Sequence, residues 1–213
     1  MTTTELLAIF REEVYDAVAP YLWSDALIYR YIDDAQKQFC RDTYGIADAR
    51  SFKVNIKSDG TEWYRYDPRI LKVRGAVFSD TGRKVPIIPF EKMAEHGYSF
   101  NGSQGPLAAL ITGLEENTFR TVPVPNAVST VNLTTFRLPE DVVAGDELEI
   151  APQHHIHLLH WVKHRAYDVQ DAETYDKKAS EKYLNSHLAY CAKVLQEQSR
   201  AGHEAGAVIY GGI

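Results

Sequence analysis

Cysteine is scarce in this sequence, and long apolar runs are missing. The 213 residues include only Cys40 and Cys191, too few for the disulfide framework of a secreted scaffold. Both lie in stretches with helical periodicity, and we expect two buried free thiols, the alternative being a disulfide between the helices. No apolar run approaches the roughly 18 residues that a membrane-spanning helix needs. These absences favour an ordinary globular protein.

Basic residues are also in short supply. The formal net charge is −6 and no run of Lys or Arg offsets it, which argues against tight, non-specific binding of nucleic acid. Residues 1–5 lack a basic region followed by an apolar core, so we expect no signal peptide. We therefore expect a protein that is made, and assembled into something larger, in a cytosol.

Catalytic motifs are missing as well. Neither cysteine and no serine lies in a nucleophile motif, and the glycine-rich stretch 101–105 lacks the lysine of a phosphate loop. Four carboxylates cluster near residue 170, and we expect some of them to cap the fourth helix rather than to form catalytic pairs: Asp168, Asp171, Glu173 and Asp176. We therefore predict that the chain is not an enzyme and binds no cofactor.

Histidine is the residue type with a suggestive spacing. His157, His160 and His164 fall within about 60° of one another on a helix, at roughly 100° per residue, and could share a metal ion. No cysteine or carboxylate motif accompanies them, and the pattern places them away from the apolar stripe. We therefore predict a polar face, solvated or between subunits, and no metal site.

The hydrophobic pattern divides the chain into helices, strands and helices again. A first helix is predicted over residues 4–18, and a second begins at the N-cap Ser24 and ends near Gly45. A third follows Pro152, and a fourth runs from about Thr174 to Ala201. Because neither helix pair buries both its faces alone, the N-terminal and C-terminal pairs must pack together.

Between the helices the apolar period changes to two. Trp63, Tyr64 and Tyr66 begin a strand, and we interpret them as core or interface residues rather than a nucleic-acid stacking platform, because no basic cluster adjoins them. Short strands at this spacing favour a small sandwich or barrel. Other strand candidates are 52–56, 70–78, 84–90, 107–112, 118–124, 129–138 and 146–150.

These elements predict an α+β fold with a discontinuous helical domain. Residues 1–50 and 151–201 form a four-helix bundle-like domain. Residues 51–150 form an inserted β-rich domain, sandwich-like or barrel-like. Residues 202–213 form an extended C-terminal arm.

Two apolar segments, the fourth helix and the C-terminal arm, predict contacts with other protein molecules. The stripe of the fourth helix covers nearly half of its circumference, which indicates burial against both its own bundle and a neighbouring subunit. The candidates for that interface are Tyr183, Leu184, Leu188, Tyr190 and Leu195. The C-terminal arm is glycine-rich yet apolar at its tip, so it is either a frayed tail or a segment that orders on a partner. Its candidate binding residues are Ala207, Val208, Ile209, Tyr210 and Ile213.

Four segments resemble the head-to-tail adaptor, or connector, proteins of tailed bacteriophages. Residues 22–36 (LWSDALIYRYIDDAQ) are similar to that family's capped second helix, and residues 66–74 (YDPRILKVR) to its first long inserted strand. Residues 155–167 (HIHLLHWVKHRAY) resemble its third helix, and residues 168–173 (DVQDAE) its turn into the last helix. The order of helices, strand insertion and helices is also shared.

The resemblance implies a structural virion protein of the neck, assembled in the host bacterial cytoplasm. It implies a ring, typically of twelve subunits, between the portal and a downstream tail or nozzle protein. The C-terminal arm would bind the portal, and the viral DNA would pass through the lumen during ejection without specific binding. The alternatives are another neck component, such as a collar or head-completion protein, a histidine-bound metal hydrolase, and a nucleic-acid-binding module.

Overall fold

The computed structural model describes residues 1–170 and 173–202. It confirms the α+β class, and the chain divides into two compact units. The helical unit contains residues 1–45 and the described residues from 139 onward, and the β unit spans Ile46–Leu138. The chain therefore passes between units at 45/46 and 138/139, whereas the sequence pattern places these boundaries at 50/51 and 150/151.

The described part of the helical unit contains four α-helices: α1 (Thr3–Glu13), α2 (Asp25–Asp42), α3 (Leu158–Tyr167) and α4 (Lys177–Gly202). A 3-10 helix, Pro152–His157, leads directly into α3. The predicted N-cap of α2 is confirmed, because the Ser24 hydroxyl accepts a hydrogen bond from the Leu27 amide. Among the described residues, no helix combines the length and apolar character needed to cross a membrane.

Helix α1 ends earlier than its hydrophobic period predicts. The period continues to residue 18, but the helix stops at Glu13 and Tyr15 adopts a left-handed φ of 57°. The buried Arg11 side chain fixes the loop that follows: it donates to the Asp16 carboxylate at 2.6 Å and to the Trp23 carbonyl at 3.0 Å. It also pairs with Asp25. The predicted end of α1 is therefore wrong, because these longer-range bonds outweigh local periodicity.

The two halves of the helical unit pack together as predicted. The buried Trp23 indole, just before α2, donates a hydrogen bond to the Ala166 carbonyl of α3 at 3.0 Å. Its ring makes edge-on contacts with Phe10 of α1 and Tyr167 of α3. A second link joins the Trp161 indole to the Asp34 carboxylate at 2.8 Å.

The described residues of the β unit form ten strands of two to eleven residues. Their bounds are β1 (Ile46–Ile56), β2 (Trp63–Arg65), β3 (Ile70–Phe78), β4 (Lys84–Val85), β5 (Ile87–Pro89), β6 (Gln104–Gly105), β7 (Ala109–Thr112), β8 (Thr118–Val122), β9 (Val124–Pro125) and β10 (Ser129–Arg137). One four-stranded sheet has the order β1-β10-β3-β4 and the other β2-β8-β7-β5, while β6 and β9 form a two-stranded sheet. The predicted strand 84–90 is split at Pro86, which has no amide hydrogen for the ladder.

Side chains of both four-stranded sheets share one core. Phe52, Val131 and Leu133 of the first sheet join Leu110 and Phe119 of the second in a single buried cluster. Alternation along β7 sends its other side chains into a second cluster on the opposite face. The rings of Tyr64 and Tyr66 stack on Phe119, which agrees with core packing rather than a nucleic-acid platform.

The predicted strand 146–150 is wrong. No regular strand forms there, and the segment makes only an isolated bridge, Glu147 with Thr2. Leu148 and Ile150 are nevertheless buried, so their apolar alternation reflects packing in the helical unit rather than a place in a sheet.

We predict that Arg11→Met will lower the free energy of unfolding by about 3–5 kcal/mol. The substitution keeps the apolar stem but leaves the buried Asp16 carboxylate without its cation. Urea denaturation measures the change. Lys193→Met is the control, because its pair with Glu197 is largely exposed and should contribute less than about 1 kcal/mol. Equal effects of the two substitutions would contradict the proposed role of Arg11.

Candidate functional site

The outer surface of α4 carries part of the predicted subunit interface. Of the five candidates, Leu188 is exposed over 48% of its surface, while Tyr183, Leu184, Tyr190 and Leu195 are half-buried. The inner face of the helix is a narrower stripe of buried residues: Ser180, His187, Cys191 and Val194. The apolar stripe read from the sequence therefore combines an inner face with partly exposed flanks.

Two of the candidates already have aromatic partners within the helical unit. Tyr183 stacks on Tyr167, with ring centroids 5.9 Å apart. Tyr190 stacks on His157 at 3.7 Å, and its hydroxyl lies 2.9 Å from Nδ1 of His154. These contacts hold α4 against the end of α3 and the 3-10 helix before it. Leu188 is the candidate that offers most apolar surface to another molecule.

A second exposed apolar surface lies in the loop between α1 and α2. Tyr15 is 96% exposed, and Val18 and Leu22 also expose more than half of their surface. The sequence pattern misses this surface because it assigns residues 15–18 to a helix. The loop is held by Arg11 and by the Asp16 carboxylate, which accepts a hydrogen bond from the Leu22 amide at 2.9 Å. Exposed aromatic residues on a fixed loop are typical of binding surfaces.

The candidate residues of the C-terminal arm, Ala207, Val208, Ile209, Tyr210 and Ile213, lie outside the described residues. Of the carboxylates near residue 170, Asp176 acts as the expected cap, because its Oδ1 accepts a hydrogen bond from the Ala179 amide at 3.0 Å.

The histidine face of α3 packs against α4. His164 Nδ1 lies 2.9 Å from the Ser180 hydroxyl, and His157 stacks on Tyr190 as described above. The predicted solvated or inter-subunit face is therefore wrong for His157 and His164, because residues of α4 pack against them within the subunit. Burial lowers the pKa values of His154, His157 and His160, so these imidazoles prefer the neutral state.

Both cysteines are free and buried, as predicted. Cys191 lies one helical turn after His187 on α4, and His187 Nε2 is 2.9 Å from the Asp42 carboxylate and 3.5 Å from Cys191 Sγ. The i, i+4 spacing of a histidine and a cysteine was the available sequence signal, but Asp42 belongs to α2 and joins them only in the fold.

The Asp42, His187 and Cys191 group does not have the geometry of a nucleophilic triad. Such a relay uses one imidazole nitrogen for the nucleophile and the other for the carboxylate, whereas here Nε2 faces both. Burial, followed by the nearby Asp42 and Cys40, raises the pKa of Cys191 to about 12. The thiol is therefore protonated at neutral pH and is a poor nucleophile.

A family model described as SU10 adaptor protein matches residues 1–206, which cover both units. No curated protein matches the chain.

We predict that His157→Phe will make the stability of the helical unit less sensitive to acid. Burial lowers the pKa of His157 in the folded chain, so protonation of this imidazole favours the unfolded chain. The neutral His157 side chain therefore contributes its full stability above about pH 6.5, and that stability is lost as the pH falls towards the folded-state pKa. Phenylalanine keeps a ring against Tyr190 and does not titrate. The loss of melting temperature from about pH 7.5 to about pH 5.5 should therefore shrink.

The matched control is His96→Phe, at an exposed position of the β unit. It should leave the pH dependence of the melting temperature unchanged. If His157→Phe retained the full dependence of the parent, burial of this imidazole would not be a source of acid sensitivity.

Proposed function

Because the chain belongs to the SU10 adaptor protein family of phage head-to-tail adaptors, we propose that it assembles into a ring between the portal and the tail of a virion. The match to a family model over residues 1–206 is the observation that carries this proposal. It includes both the discontinuous helical unit and the inserted β unit. In this role the protein is a structural subunit and not an enzyme.

Ring closure requires two different surfaces on each subunit, because neighbours in a cyclic assembly meet head to tail. The helical unit exposes two apolar surfaces that suit such contacts: the flank of α4 around Leu188, and the loop bearing Tyr15 and Leu22. We propose that the α4 flank is one side of the subunit interface, with Leu188 at its centre and Leu184 and Leu195 beside it. Tyr183 and Tyr190 would support this surface from within the subunit.

We propose that residues 202–213 bind the portal through their apolar side chains. Val208, Ile209 and Tyr210 follow a glycine-rich stretch, which lets the backbone adapt to a groove before the apolar residues are buried. The twelve-subunit stoichiometry comes from the resemblance to other adaptors. The β unit would face the next tail component.

DNA would pass through the proposed lumen without being bound tightly. A net charge of −6 gives the ring a negative character on average, which opposes tight contacts with the phosphate backbone. Passage of DNA during ejection would then meet little resistance from the adaptor. A collar or head-completion subunit is the second candidate, since it would share the family membership but not the position under the portal.

The portal contact predicts the behaviour of a truncated chain. Full-length protein mixed with the portal encoded near it should form rings on the portal in electron micrographs. A chain ending at His203 should not, because it lacks the apolar arm. Absence of binding by the full-length protein would reject the position under the portal and favour the collar or head-completion role.

The proposed subunit interface predicts that Leu188→Asp will weaken ring assembly about tenfold or more. Burying an unpaired carboxylate costs more than the ~1.4 kcal/mol that corresponds to a tenfold change. Leu71→Asp, at a comparably exposed leucine of the β unit, is the matched control and should assemble normally. Mass photometry of portal-bound assemblies compares the two. Normal rings from Leu188→Asp would exclude this flank from the interface.

A further inference from the structure

Three metal-ligating side chains converge where the end of α2 meets the middle of α4. The side chains of Asp42, His187 and Cys191 each offer one ligand atom, and these atoms all lie within 4.8 Å of one another. His187 and Cys191 are almost fully buried, while the Asp42 side chain is 24% exposed. The group therefore has a route to solvent on the Asp42 side.

One of the distances between these atoms already matches an edge of a tetrahedral zinc site, and a second is shorter than such an edge. Zn–N bonds of about 2.0–2.1 Å and Zn–S bonds of about 2.3 Å at tetrahedral angles place nitrogen and sulfur about 3.6 Å apart. The His187 Nε2 to Cys191 Sγ distance is 3.5 Å. A nitrogen and an oxygen ligand lie about 3.4 Å apart in such a site. Asp42 would therefore move by about half an ångström from its present 2.9 Å contact with His187.

Neighbouring side chains hold the ligands in place. The Gln38 amide donates a hydrogen bond to Asp42 Oδ1 at 2.9 Å, which leaves Oδ2 directed at His187. The Trp161 ring packs 5.1 Å from the His187 ring, centroid to centroid, and restricts its rotation. Orientation of ligands by such outer contacts is a usual feature of protein metal sites.

We propose that Asp42, His187 and Cys191 bind a Zn²⁺ ion that joins α2 to α4, with water as the fourth ligand. A thiolate and an imidazole select zinc over magnesium or calcium, which prefer oxygen ligands. Coordination releases the Cys191 thiol proton to solvent, and the neutral imidazole presents Nε2 with its proton on Nδ1. This site is distinct from the histidine face of α3 and does not depend on the proposed role in the virion.

Bound zinc would stabilise the attachment of α4, the helix that precedes the C-terminal arm. An ion that binds the folded chain and not the unfolded one raises stability by mass action. Because one ligand comes from α2 and two from α4, the ion resists separation of these two helices. The expected signature is a higher melting temperature with zinc.

Cobalt substitution tests the site directly. Chelator-treated, untagged full-length protein is titrated with Co²⁺, which should bind one ion per chain and give a thiolate-to-cobalt charge-transfer band, removed by added Zn²⁺. The band should be absent from Cys191→Ser and retained by Cys40→Ser, the matched buried thiol. Absence of the band from the parent protein, or its persistence in Cys191→Ser, would overturn the proposal.

A second variant keeps the test independent of folding defects at the buried cysteine. Gln38→Ala removes only the outer hydrogen bond to Asp42 and should weaken Zn²⁺ binding about 10-fold to 100-fold in calorimetric titrations. Gln196→Ala, at an exposed glutamine of α4, is its control and should bind as the parent does. Equal affinities of the two variants would also count against Asp42 as a ligand.

Discussion

The helical unit depends on contacts between chain segments that an entire β unit separates. The Trp23 indole reaches the Ala166 carbonyl across 143 positions of sequence, and Lys163 reaches Glu13 across 150. Neither pair of helices buries its apolar face alone, so the apolar faces of α1 and α2 are buried only when α3 and α4 pack on them. Burial of a tryptophan at such a junction contributes about 3–5 kcal/mol. The fold therefore requires that residues 46–138 return the chain close to where they left it.

The local sequence pattern predicted those helices and strands that interactions between neighbouring residues determine. The helical period and the Ser24 cap located α2, and alternation located β3 at residues 70–78. The pattern failed where a distant group decides the conformation. Arg11 and its carboxylates end α1 early, and packing in the helical unit buries Leu148 and Ile150 without a strand. His164 was predicted on a solvated or inter-subunit face, because the pattern could not show that Ser180 of α4 contacts it.

The sequence predicted only part of the candidate binding surface, again because contacts with distant segments decide which side chains are exposed. Periodicity identifies which side chains share the wide stripe of α4, but it cannot tell an inner face from an outer flank. Tyr183 and Tyr190 have partners within the subunit, while Leu188 stays exposed. The group of Asp42, His187 and Cys191 combines two helices, so only two of its three residues could be read from a single segment. The complete group can be recognised only in the folded structure, where α2 and α4 lie together.

The pairing of β1 with β10 has a consequence for how such proteins diversify. Ile46 and Arg137, near the two ends of the inserted unit, are direct partners in an antiparallel ladder. The insertion thus begins and ends on adjacent strands, and its core is built from its own residues. A segment whose ends are adjacent, and whose core is made of its own residues, can be exchanged as a whole while the helical unit keeps its fold. Selection can then change the β unit without altering the helical unit.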